Sequence, residues 1–157
     1  MEYVTYFNSP IGEIEIKSDE KFITSLDFVF KSNEKLPEKL NPVLKQCKKE
    51  LDLYFQGKLK TFTVRVKPEG TEFQKSVWKA IKTVKYGKTM TYREIAKKTG
   101  SPDSVRAAGT ACGKNPVAII IPCHRIIGSN GKLTGYSGGI WRKEFLLKLE
   151  KNEPFRD

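Results

Sequence analysis

Residues 91–113 read TYREIAKKTGSPDSVRAAGTACG, and the order of signals in this stretch decides the fold of the second half of the chain. Thr91 followed by Glu94 is a capping box, in which hydroxyl and carboxylate each satisfy a backbone N–H at the start of a helix. Gly100-Ser101-Pro102 then makes a tight turn, and Asp103 is placed to cap a further helix from Ser104 to about Cys112. Helix, short glycine-containing turn, helix is the helix-turn-helix pattern, although any helical hairpin can imitate it. After Arg106 the second helix is almost entirely small: Ala107-Ala108-Gly109-Thr110-Ala111-Cys112-Gly113. A major-groove reader usually carries long polar side chains to reach base edges. A small face instead lets the backbone come close to another helix or to the wall of a groove, and this segment alone does not choose between them.

Working towards the N-terminus, Thr71 caps a helix with Phe73, Val77, Trp78 and Ile81 on one face, and Tyr86-Gly87-Lys88 breaks it. Lys67-Pro68-Glu69-Gly70 is the candidate linker, dividing a domain over 1–68 from one over 69–157. In the first domain Glu2–Phe7, Glu13–Lys17 and Phe22–Phe30 read as strands, the first two joined by the turn Asn8-Ser9-Pro10-Ile11-Gly12. A polar stretch from Lys31 to Pro42 leads to a helix in which Val43, Leu44, Cys47, Leu51 and Tyr54 recur at helical spacing, ended by Gly57. Thr61–Val66 reads as a β-branched strand. The expected architecture is a small antiparallel sheet with a helix, an α/β unit, followed by a mostly α domain with a winged-helix-like helix-turn-helix.

The 157 residues carry a formal charge of +11, unevenly spread. Residues 69–157 hold 17 basic and 8 acidic side chains, whereas 1–68 hold 12 and 10. From Lys75 through Lys132 only Glu94 and Asp103 are acidic. Such a concentration favours a polyanionic partner, nucleic acid first and an anionic membrane surface second, with a lysine-rich soluble surface as the plain alternative. The longest aliphatic run, Val117–Ile121, is far short of a membrane span, and the N-terminus lacks a secretory signal, so neither membrane nor export is expected. Three cysteines without a C-x-x-C pair read as free thiols in a reducing, cytoplasmic compartment. With one histidine they do not assemble a zinc site, and no cofactor motif is present.

Working towards the C-terminus, Val117–Ile121 reads as an apolar strand that stops at Pro122, before Cys123-His124-Arg125. Ser129-Asn130-Gly131 reads as a hairpin turn, and Gly135-Tyr136-Ser137-Gly138-Gly139 as a loop feeding a last helix. That helix has Trp141, Phe145, Leu146 and Leu149 on its apolar side and Glu150 near its end. A thiol nucleophile needs its proton removed, and His124, the only histidine in the chain, is the side chain suited to it. Arg125 adds positive potential that favours a thiolate. A buried inert cysteine beside a surface His-Arg is the commoner fate of such a tripeptide.

Asn115-Pro116, Ile121-Pro122-Cys123-His124-Arg125, Tyr136-Ser137-Gly138-Gly139 and Lys143-Glu144-x-Leu146-Leu147-x-x-Glu150 together resemble the active-site block of the O6-alkylguanine-DNA alkyltransferases, the methylated-DNA–protein-cysteine methyltransferases. The similarity extends back through Phe73-Gln74-x-x-Val77-Trp78, Tyr86-Gly87, Thr91-Tyr92 and Arg106-Ala107. The resemblance implies a single-use repair protein, a monomer acting on double-stranded DNA that contains O6-alkylguanine. It implies binding from the minor groove, extrusion of the damaged nucleotide, and irreversible transfer of the alkyl group to Cys123 as a thioether.

By the same resemblance His124 acts through a water as the base for Cys123, oriented by Glu150, and Tyr92 donates to guanine N3. Ser137 and the Tyr136 backbone bind O6, beside Gly138. The carbonyls of Cys123 and Ile126 take the exocyclic amine, and Asn115 braces the loop carrying Cys123. Arg106 enters the base stack, and Ala107, Lys114 and Thr91 complete the DNA contacts. Cys112 stands where the family more often has a bulkier apolar residue, Gly113-Lys114 replaces a frequent Arg-Gly, and Ala118 lies where some members have proline. Three other functions compete: a lesion sensor of the same family, a basic regulator with an incidental thiol, and a cysteine hydrolase. The sensors typically lack the cysteine, and nothing marks the oxyanion hole that a hydrolase needs.

Overall fold

The computed structural model describes residues 1–30, 34–100 and 103–152. The chain divides into two compact units, Met1–Pro68 and Glu69–Asp157.

In the first unit β1 (Tyr3–Ser9), β2 (Gly12–Ser18) and β3 (Ile23–Phe28) form an antiparallel sheet in that order. Alternation sets the register: Ile14 and Ile16 of β2 are buried opposite Phe28 and Leu26 of β3, while Glu13 and Glu15 lie on the other face. Helix α1 (Pro42–Phe55) packs across all three strands. Its start is dictated locally, since the Asn41 side chain accepts from the Leu44 N–H and proline occupies the first turn. Leu44, Cys47, Leu51 and Tyr54 form its fully buried stripe, each large apolar side chain contributing about 1.5–3 kcal/mol by burial.

The expected strand over Thr61–Val66 is not formed; only Val66 bridges Ile23, in parallel sense. The reason is Glu50, whose buried carboxylate accepts from the Thr63 and Val64 backbone N–H groups, the Thr63 hydroxyl and the Gln46 amide. Donors that a sheet would use are taken by a side chain of α1. Burial alone would push the Glu50 pKa up, but these hydrogen bonds outweigh it and hold the carboxyl below its ordinary value.

The second unit opens with α2 (Glu72–Ile81), capped by the reciprocal Thr71–Gln74 box. β4 (Met90–Thr91) leads directly into α3 (Tyr92–Lys98), where the Thr91–Glu94 box forms as its spacing predicts. α4 (Val105–Gly113) follows, but Asp103 does not cap it: Ser104 holds the N-cap position and no side chain accepts there. The Ser101-Pro102 part of the expected turn lies outside the described residues, as do Lys31–Asn33 of the polar stretch. α2, α3 and α4 pack on one another, and the Trp78 indole N–H donates to the Ala111 carbonyl at 2.9 Å, tying α2 to α4. Ala108, Ala111 and Cys112 are buried, so one side of the small-residue helix serves helix packing.

Val117–Ile121 is a compact buried turn rather than a strand. Ile120 N–H donates to the Ala118 carbonyl and Ile121 N–H to that of Val117, with Ile119 at φ 70°. A β-branched residue in the left-handed region costs roughly 1–3 kcal/mol, a strain that periodicity cannot announce. A 3-10 turn over Cys123–Arg125 leads to β5 (Ile126–Ile127), which pairs in parallel with β4. Gly128–Gly131 forms the expected turn, yet among the described residues no second strand follows it to complete a hairpin.

Helix α5 (Ile140–Glu150) buries Lys143, Leu146, Leu147 and Glu150, whereas Trp141 is exposed. The expected apolar face is therefore displaced, because two charged residues are drawn inward.

Glu50→Ala is expected to destabilise the first unit by about 3 kcal/mol, the scale of several hydrogen bonds to one charged group, read by chemical denaturation. An unchanged midpoint would mean that Glu50 does not hold residues 63 and 64.

Candidate active site

Glu150 reaches the interior from the last turn of α5. Its carboxylate receives His124 Nε2 at 2.7 Å, Arg125 Nε at 2.8 Å, Arg125 Nη2 at 2.9 Å and the Gly87 N–H at 3.3 Å. Gly87 adopts φ +76°, and a side chain there would approach the Glu150 carbonyl at 3.4 Å, so the close turn favours glycine. Arg125 also donates to the Val84 carbonyl at 2.8 Å. Its guanidinium is therefore paired with Glu150, and the groups that pull the Cys123 thiol down are Asn115 and Lys143, where the sequence pointed to Arg125.

Burial by itself would raise the Glu150 pKa, but hydrogen bonds and charge from His124 and Arg125 hold it far below the carboxylate range. Glu150 is thus ionised and can only accept, so His124 Nε2 carries a proton. Burial lowers the His124 pKa against the raising effect of Glu150, leaving the ring neutral at pH 7. The lone pair then sits on Nδ1, which is buried and meets no hydrogen-bond partner among the described residues. This is a base held in one tautomer with its basic nitrogen open.

Cys123 is 5% exposed. Burial pushes its thiol well above the usual value and the neighbouring Cys112 thiol adds to this, while Asn115 and Lys143 pull it down. At rest the group is a protonated thiol that needs a base. Asn115 clamps the strained turn before it: Nδ2 donates to the Ile121 carbonyl at 2.8 Å and Oδ1 accepts from the Val117 N–H at 2.9 Å.

Lys143 is fully buried, and sequence reasoning left it unassigned. Its ammonium donates to the Thr134 carbonyl at 2.9 Å and to the Tyr92 hydroxyl at 3.4 Å. Burial lowers its pKa to about 8. Burial likewise pushes Tyr92 up to about 12, so its phenol is a neutral donor, here to the Thr134 carbonyl at 3.0 Å. A usable signal was the spacing 143, 146, 147, 150, which puts Lys143 and Glu150 on one helix face.

Tyr92, Gly109, Gly113 and Tyr136 line a cavity of about 400 Å³. Ile126 is buried at the start of β5, and the turn from Tyr136 to Gly139 leaves Ser137 exposed and Gly138 buried. Arg106, Ala107 and Lys114 lie elsewhere, on an open groove of about 620 Å³ shared with Phe73 and Gln74 of α2. The Thr91 hydroxyl is engaged in capping α3. The structure therefore separates a buried reactive cluster from an exposed groove that carries Arg106 and Lys114, with α4 contributing to both. Among the described residues no group of three or more His, Cys, Asp or Glu could hold a metal, and no helix is long and apolar enough to cross a membrane.

Residues 72–152 match the family model described as 6-O-methylguanine DNA methyltransferase, DNA binding domain, and residues 2–68 match its ribonuclease-like domain. A methylated-DNA–protein-cysteine methyltransferase of Methanosarcina acetivorans is 49% identical over 152 residues, covering 94% of this chain and 97% of its own. One from Haemophilus influenzae is 43% identical, covering 95% and 86%. The structure is similar to that of the Mycobacterium tuberculosis O6-methylguanine methyltransferase, with TM-score 0.88 and 42% identity over 100% of this chain and 97% of that one. A structure of Mycobacterium tuberculosis OGT in complex with DNA gives 0.86 at 42% identity, over 96% and 92%.

The tautomer is open to direct measurement. In ¹⁵N NMR at pH 7, Nε2 of His124 should be protonated and Nδ1 bare, with the ring titrating below the ordinary value of about 6.5. Glu150→Gln should lower the titration further, since Glu150 is what raises it. A ring that titrates above that value would contradict the assignment.

Proposed function

The chain belongs to the 6-O-methylguanine DNA methyltransferase family, and from that membership we propose that Cys123 is the acceptor in DNA repair by methyl transfer from O6-alkylguanine. The observation that carries this reading is the neutral, tautomer-locked His124 beside a buried thiol, backed by ionised Glu150.

The chemistry is displacement at a saturated carbon. As the Cys123 thiol gives up its proton to His124 Nδ1, through a water, its sulfur attacks the alkyl carbon. The carbon–oxygen bond breaks, and its electron pair returns to the guanine ring as a departing anion. Tyr92 donates to N3 of that anion, and the Lys143 ammonium at the Tyr92 hydroxyl stabilises the charge that builds there. Ser137 and the Tyr136 backbone receive O6 beside Gly138, and the Cys123 and Ile126 carbonyls take the exocyclic amine. Asn115 holds the Ile121 carbonyl and so braces the loop that presents the thiol. The thioether has no hydrolytic route back, so each molecule acts once.

DNA lies on the groove that carries Arg106 and Lys114, approached from the minor-groove side. The exposed Ala107 and Thr110 of α4 permit close approach, and Lys114 meets phosphate. Arg106, exposed near the N-terminus of α4, enters the stack in place of the extruded nucleotide and offsets part of its few-kcal/mol unstacking cost, with Thr91 at the edge of the contact. The protein acts as a cytoplasmic monomer. Its three free cysteines suit a reducing compartment, and the reactive cluster comes from one unit of one chain.

An oligonucleotide containing O6-methylguanine tests the reading. Peptide mass analysis should find one methyl group on Cys123 per molecule, and Cys123→Ser should bind DNA without accepting it. Repeated turnover, or methyl on another residue, would refute the assignment. Arg106→Ala should slow repair of duplex by about tenfold or more while leaving reaction with the free base little changed, because only duplex incurs the unstacking cost. Equal losses would reject the extrusion role.

A further inference from the structure

Cys112 has no part in the transfer chemistry, yet it is placed against the acceptor. It lies on the buried side of α4, and its thiol is within hydrogen-bonding reach of the Cys123 thiol. The backbones are linked as well. The Asn115 N–H donates to the Cys112 carbonyl at 3.2 Å, and its side-chain Nδ2 holds the Ile121 carbonyl at 2.8 Å. That carbonyl also accepts the Cys123 N–H at 2.8 Å. An unbroken run of hydrogen bonds therefore fixes the end of α4 against the turn that carries the second thiol. Both sulfurs act electrostatically on Tyr92 and on Lys143, which sets the two thiols in one neighbourhood. Cys47 differs: it is wholly buried in the core of the first unit, and burial pushes its thiol up to about 12.

We propose that Cys112 and Cys123 are a redox pair, in which hydrogen peroxide drives a reversible disulfide that shelters the acceptor sulfur from irreversible oxidation. The same proton removal that arms Cys123 for an alkyl carbon arms it for peroxide oxygen. The Cys123 thiolate attacks one oxygen, the O–O bond breaks and water leaves, giving a sulfenic acid. The Cys112 sulfur then displaces the hydroxyl as a second water, forming the S–S bond. Two thiols and one peroxide become one disulfide and two waters, the peroxide being reduced and both sulfurs oxidised. A dithiol reverses the step by exchange. Without Cys112 the sulfenic acid proceeds to sulfinic and sulfonic acids, which thiols do not reverse.

Trypsin cuts after Arg106, Lys114 and Arg125, so the two cysteines fall in separate peptides, 107–114 and 115–125. Full-length reduced protein is exposed to hydrogen peroxide, its remaining thiols are blocked, and it is digested without reductant. The expected product is these two peptides joined, lighter than their sum by two hydrogens and separated by dithiothreitol. In Cys112→Ser and Cys112→Ala the same exposure should leave peptide 115–125 carrying two or three added oxygens. Reductant should then recover about tenfold less free Cys123 thiol than in the unsubstituted chain. Circular dichroism establishes that each variant is folded, and the joined peptide in the unsubstituted chain is informative without them. Unjoined peptides with over-oxidised Cys123 in the unsubstituted chain would overturn the proposal, as would a disulfide to Cys47 instead. The readout is mass, so it stands or falls apart from the transfer reaction.

Discussion

The site depends on one buried carboxylate. Glu150 accepts from His124, twice from Arg125 and from the Gly87 backbone. A lone carboxylate in such surroundings would take up a proton, because desolvation there costs several kcal/mol. The hydrogen bond from His124 and the guanidinium fork of Arg125, a permanent charge with matching geometry, together prevent this. Once Glu150 is ionised the rest follows: Nε2 of His124 must carry the hydrogen, and Nδ1 must be the base. Three chain segments far apart in sequence meet at this carboxylate, namely the turn at Gly87, the 3-10 turn at Cys123–Arg125 and the end of α5.

Charge is distributed so that each group is in the state its task needs. Arg125 balances the charge of Glu150, while burial and the neighbouring Cys112 thiol keep Cys123 a protonated thiol. Lys143, buried beside the Tyr92 hydroxyl, is the cation that the proposed mechanism sets against the departing base. With its pKa lowered to about 8 it is mostly charged at neutral pH and becomes neutral above that value. The unfolded chain holds this proton to higher pH, so burial of the ammonium costs stability at neutral pH and the cost fades as pH rises towards the ordinary lysine value. Under the proposed mechanism this buried cation, which weakens the fold, is the one closest to the Tyr92 hydroxyl.

The parts legible in sequence were those governed by local rules. The Thr91–Glu94 capping box and the Thr71 cap formed where the sequence put them, and alternation around Ile14 and Ile16 defined the sheet. Long-range competition decided the rest. Thr61–Val66 has strand composition, but Glu50 removes its backbone donors. Val117–Ile121 looks like a strand, but Asn115 holds it in a turn with Ile119 at positive φ. On α5 the apolar pattern pointed to Trp141 as a core residue, while the buried face holds Lys143 and Glu150. Hydrophobic patterning fails at such a helix because its inward charges are paired with partners remote in sequence. Proximity of Cys123 and His124 could be read, but the use of Arg125 could not, since its partner lies 25 residues on.

If Glu150 acts by fixing the His124 tautomer, the two residues work as one unit. The most direct measurement is the methyl-transfer rate of His124→Ala, Glu150→Gln and the double variant, with DNA binding measured alongside. The double variant should be no slower than the slower single variant, and DNA binding should be kept in all three, because either change removes the same base. Rate losses that multiply in the double variant would show the residues acting independently and contradict the account.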